Sequence, residues 1–125
     1  MLKNILLVAV GGACGSIARH LLGIMIKSIC KSDLPLGTLV ANVLGCFIIG
    51  CITQWAGSHI GMSPATKLML TTGFCGGLTT FSTFMNESST MMHGEQLFTS
   101  IAYIAVSIVL GLAAVALGMQ VAKML

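Results

Sequence analysis

The richest stretch of chemistry runs from position 71 to 84: Thr-Thr-Gly-Phe-Cys-Gly-Gly-Leu-Thr-Thr-Phe-Ser-Thr-Phe. Adjacent Gly76 and Gly77, followed by β-branched Thr79 and Thr80, make a poor helix in apolar surroundings. A break here leaves backbone N–H and C=O groups without partners. In hydrocarbon each such group costs several kcal/mol, so broken helices occur only inside protein or beside water and ions. In transporters they mark ion sites. Phe81 and Phe84 are three apart and share a helix face. Ser82 and Thr83 set hydroxyls beside them. A ring edge is positive and meets an anion; a ring face is negative and meets a cation. Hydroxyls donate or accept. Both rings equally suit ordinary core or lipid contacts.

Other polar groups stand out against apolar neighbours. Asn42 carries an amide with two donors and an acceptor, and inside a bilayer these need partners. It reads as a site residue or as an interhelical structural bond. Arg19 either faces a cavity, where it attracts anions, or snorkels to the interface and ties down helix-end carbonyls. His20 beside it reads as interfacial. Glu87, with Asn86, Ser88, Ser89 and Thr90 around it, reads as a vestibule residue, a proton carrier or a structural partner. Tyr103 and Ser107 are four apart and give one helix a polar face. Trp55 fits an interfacial aromatic belt. Asp33, His59, His93 and Glu95 read as loop residues.

The elements that must position these groups follow from composition. The chain has 125 residues, of which only 7% are charged and 56% hydrophobic. Its mean hydropathy is +1.01. Soluble domains carry roughly 25% charged residues, so no water-soluble monomer fits. A net charge of +3 spread along the chain gives no basic patch for nucleic acid. An all-α membrane protein remains. Four runs are long enough to span, at about 20 residues each: 5–26, 36–56, 68–92 and 97–122. They form one transmembrane domain, with the third helix broken near its middle. The first run also resembles a signal peptide, but the rest of the chain is as hydrophobic. Cys14, Cys30, Cys46, Cys51 and Cys75 form no C-x-x-C pair and read as small apolar residues.

Four spans put both termini on one side, with Lys3, Lys67 and Lys123. Lys27 and Lys31 lie on the other, with Arg19 if it snorkels there. The positive-inside rule needs an excess on one side, and almost none exists. Unseen interactions could fix one topology; alternatively, copies insert both ways and pair antiparallel. Gly11, Gly12, Gly15 and Ser16, the pairs Ala41/Gly45 and Cys46/Gly50, and the series Ser107, Gly111, Ala114, Gly118 offer close helix approach. Spacing alone does not separate contacts within a chain from contacts between chains.

Three blocks resemble the Fluc/CrcB family of fluoride channels: residues 11–20, residues 37–45 continuing to Gly50, and residues 72–84. The fourth span, from Tyr103 through Ser107 and Gly111 to Gly118, fits too. Departures are small: His20 stands where a large aromatic is common, and Met85 and Asn86 where small or apolar residues are usual. The resemblance implies an antiparallel, dual-topology homodimer in the cell inner membrane, with two fluoride pores lined by both subunits. It implies a third helix broken between Gly76 and Thr80, with a structural sodium ion held by the carbonyls of Gly76 and Thr79. It places the pore phenylalanines at Phe81 and Phe84, the pore asparagine at Asn42, and the hydroxyl track at Ser82 and Thr83 with Tyr103 nearby. Arg19 and Glu87 fall near the vestibule. The implied activity is passive export of cytoplasmic fluoride.

Catalysis finds no support. The chain has no G-x-S-x-G, H-E-x-x-H or Walker loop and no acid pair within a span. A small proton-coupled multidrug exporter is the alternative. It would need a membrane-embedded acid in the first span, where this chain has Arg19.

Overall fold

In the computed structural model, residues 1–58 and 61–125 are described; His59, read as a loop residue, lies outside them. The apolar runs become helices because hydrocarbon offers the backbone no partner outside its own segment. Helix α1 spans Leu2–Ile29 and α2 spans Leu36–Ser58. The last helix, α5, spans Leu97–Met124. Each of the three is long and apolar enough to cross a membrane. Among the described residues no strand occurs.

Between α2 and α5 the chain forms a further helical segment in two pieces. Helix α3, residues 64–78, begins with Pro64 at its first position and Ser63 as its cap, whose hydroxyl accepts from the Thr66 N–H at 3.1 Å. Over Met69–Cys75 it widens to π geometry, so the Gly76 N–H reaches back to the Thr71 carbonyl. It returns to an α-turn over Gly76–Leu78 and stops. Thr79 (φ −88°, ψ 158°) and Thr80 (φ −151°, ψ 121°) are extended. Helix α4 then runs Phe81–His93, capped by the Thr80 hydroxyl, which accepts from the Thr83 N–H at 3.2 Å.

The break falls at Thr79 and Thr80, at the far end of the Gly76–Thr80 stretch that the resemblance implies, and both glycines stay helical. Gly77 is used for close approach: a Cβ there would strike the Gly12 carbonyl oxygen and lie 3.0 Å from the Ser16 nitrogen. The β-branched threonines take the extended conformation that suits them. His93 is also not a loop residue. It ends α4, with its ring Nδ1 2.8 Å from the Ser89 carbonyl. Glu95 (φ 63°) supplies the left-handed turn into α5, and the Gln96 N–H closes onto the Met91 carbonyl at 2.9 Å.

The small residues resolve into contacts within the chain. Gly11 and Gly15 of α1 lie against the backbone of α3 at Gly73 and Phe74. Gly50 of α2 meets the backbone of Val115 on α5, and Gly118 meets that of Phe47. One buried hydroxyl joins α5 to α4, Ser100 donating to the Ser88 carbonyl at 2.8 Å, while the buried Ser88 hydroxyl bonds back within α4 to the Phe84 carbonyl at 2.8 Å. All five cysteines are free thiols. Large apolar side chains face outward, Phe98 at 86% exposure and Leu112 at 69%. With so little core, that surface is built for lipid or another helix, and the chain is an integral membrane protein.

Candidate functional site

One side chain spans the interruption. The Asn42 amide of α2 donates from Nδ2 to the Thr80 carbonyl at 3.2 Å and accepts the Thr80 N–H on Oδ1 at 2.8 Å. It serves the broken backbone as a neighbouring strand would. The structural reading of Asn42, left open by the sequence, is therefore realised, with one amide hydrogen still available.

The phenylalanines follow directly. Phe81 opens α4 and is 73% exposed, while Phe84, one turn on, is 7% exposed. Their centroids are 6.3 Å apart and their planes 71° apart, an edge contact. Phe84 repeats it with Tyr103 of α5, at 5.1 Å and 78°. Ser82 and Thr83 lie exposed on the same first turn. That turn also presents backbone N–H groups with no helical acceptor, the positive end of the α4 dipole.

Tyr103 carries the series onward. Its hydroxyl donates to Glu87 Oε1 at 3.0 Å, and the Thr38 hydroxyl donates to Glu87 Oε2 at 2.8 Å. Glu87 is thus a structural partner to two hydroxyls, one of the three roles open from sequence. Thr38 was not singled out from the sequence. The signal was its place one turn before Asn42 on an otherwise apolar helix face. Ser107, one turn beyond Tyr103, has a buried hydroxyl without a partner among the described residues.

Two cavities flank this series. A cavity of about 480 Å³ at the α1–α2 connection is lined by Arg19, Lys27 and Asp33, and reaches Thr38 and Glu87. A second, of about 380 Å³, is an open groove along Asn42, Gly76, Thr79, Thr80, Phe81 and Phe84. Glu87, Tyr103 and Phe84 connect the two. Arg19 lines the first of these cavities, at the helix ends, a place that suits both its cavity and its interfacial reading. Among the described residues no group of three or more His, Cys, Asp or Glu could hold a metal. Donor hydroxyls, an amide, a helix N-terminus and ring edges instead suit a small anion.

The family described as CrcB-like protein, Camphor Resistance (CrcB), matches residues 6–119. A protein of Chlorobaculum tepidum named fluoride-specific ion channel FluC is 44% identical, covering 99% of this chain and 98% of that protein. Proteins of the same name from Chlorobium phaeobacteroides and Flavobacterium psychrophilum are 42% and 37% identical, covering 96% and 98% of this chain and 93% and 98% of their own. A family match over nearly the whole length, with relatives this similar, means that the chain belongs to the CrcB family.

Proposed function

We propose that this protein is a passive channel that lets cytoplasmic fluoride leave the cell, selective for fluoride over chloride. The succession from the Glu87 and Thr38 cluster through Tyr103 and Phe84 to Phe81, beside Asn42, carries the reading. Relatives named fluoride-specific ion channel support it. Fluoride is small and strongly hydrated, so a path through a bilayer must replace its water with converging donors and positive edges. Asn42, Ser82, Thr83 and the ring edges supply these, with Tyr103 nearby contributing its ring edge, since its hydroxyl proton goes to Glu87. Arg19 faces the cavity through which an anion enters, and Glu87 orients the two hydroxyls at its floor. Nothing in this arrangement calls for an enzyme.

The pore needs a second copy of the chain. Phe81 lies 73% exposed on an open groove that also holds the polar Asn42, Thr79 and Thr80, groups a second subunit would shield from lipid. An antiparallel homodimer, with one pore along each groove and both subunits lining each, fits the balanced Lys/Arg tally. It belongs in the cell inner membrane. Accessibility labelling of single cysteines placed at each terminus, in intact cells, is expected to show both orientations; a single orientation contradicts dual topology.

The break also suits a structural sodium ion. Thr79 is extended, and the Thr80 N–H goes to Asn42 instead of the Gly76 carbonyl four residues back. The carbonyls of Gly76 and Thr79 thus lie outside the ordinary helical ladder on one groove, a donor type that hard cations take. Bound there, sodium would supply positive charge and tie two interruptions together. The test of the proposed function is fluoride efflux from liposomes without a proton gradient. Efflux that needs the gradient, with drug–proton exchange, would favour the multidrug exporter.

A further inference from the structure

We infer that Asn42 is a positioning residue that keeps the third crossing broken and releases the Gly76 carbonyl for a cation, in addition to any contact it makes with fluoride. The inference deepens the channel reading and rests on Gly76 being a cation ligand. In an unbroken helix the Thr80 N–H would bond the Gly76 carbonyl. Here it is held by Asn42 Oδ1 at 2.8 Å, while Asn42 Nδ2 holds the Thr80 carbonyl at 3.2 Å. Thr79 keeps its own helical bond, N–H to the Cys75 carbonyl at 2.9 Å, and its hydroxyl bonds the same carbonyl at 2.9 Å. The helix is therefore intact up to Thr79, and the first bond it loses is the one Asn42 intercepts.

Removing the amide should let the Thr80 N–H return toward Gly76. That closes the break by one bond and moves Phe81, the next residue, with it. Aspartate separates the two functions of the side chain. Its carboxylate gives up the bond to the Thr80 carbonyl but still accepts the Thr80 N–H, the one bond that keeps the Gly76 carbonyl released. It also sets a negative charge beside the anion path.

The experiment compares the unmodified protein, Asn42→Ala and Asn42→Asp at alkaline pH, which favours the charged carboxylate. Three quantities are read: thermal stability in sodium against choline, amide exchange at Thr80 with Ser88 as internal reference, and fluoride efflux. For the unmodified protein, sodium should raise the melting temperature by about 5 °C. Asn42→Ala should abolish that rise, change Thr80 exchange by about tenfold relative to Ser88, and lower efflux. Asn42→Asp should keep the sodium response and lose efflux. The inference is overturned if the unmodified protein shows no sodium response. It is also overturned if Asn42→Ala keeps both that response and the Thr80 exchange rate, or if Asn42→Asp loses the response as alanine does. If Asn42→Ala does not fold, the aspartate arm decides. Absence of fluoride efflux from the unmodified protein, with the sodium and exchange results as expected, would remove the channel reading and leave the positioning role standing.

Discussion

Replacing Phe81 or Phe84 with isoleucine is expected to stop fluoride efflux while the protein still folds. Isoleucine keeps apolar bulk but has no positive edge. The ring quadrupole gives a desolvated cation about 2 kcal/mol or more over the face, and its edge offers an anion a comparable interaction. Losing about 2.7 kcal/mol from the highest point of the path lowers the rate about a hundredfold. Phe81 is the cleaner position, because its ring is 73% exposed within the chain and little packing is lost. Phe84 is 7% exposed and also packs on Tyr103, so isoleucine there should lower stability as well. Efflux at the unmodified rate in both variants would remove the rings from the pore.

Replacing Gly15 with valine should prevent folding outright. A Cβ at Gly15 would strike the Phe74 carbonyl oxygen and lie 2.8 Å from the Leu78 nitrogen and 3.0 Å from the Phe74 carbonyl carbon. All three are backbone atoms of α3, so no side chain can swing aside. Ordinary overpacking costs about 1–3 kcal/mol; forcing α1 off α3 should exceed that and leave little folded protein after size-exclusion chromatography. Gly23, on the same helix, has nothing within 4 Å of such an atom. Gly23→Ala should be neutral or stabilising, by up to about 1 kcal/mol. Equal yields of the two variants would contradict the packing of α1 on α3.

What the sequence could and could not convey follows from the range of each interaction. The absence of charge forces helices into a bilayer, so the three uninterrupted helices were legible to within a few residues at each end. That the segment between α2 and α5 is broken was legible too, because glycines and threonines cluster there. The break's place within the Gly76–Thr80 stretch was not. It depends on Gly77 meeting Gly12 and on Asn42 reaching Thr80 across 38 residues of chain, neither of which is a local propensity. The π-turn over Met69–Cys75 likewise has no sequence signature; it arises in the segment where α3 packs on Gly11 and Gly15. Phe81, Phe84 and Tyr103 were visible as residues, but their edge-on order was not, since Tyr103 comes from another helix. Glu87 gained its role from Thr38, 49 residues away, which no pattern around Glu87 reveals.

Efflux from liposomes holding only the purified protein, followed with fluoride and chloride electrodes in parallel, tests the central claim most directly. Rapid loss of fluoride, with chloride retained and no proton gradient imposed, is the predicted result. Folded protein that releases no fluoride, or releases chloride as readily, would contradict it.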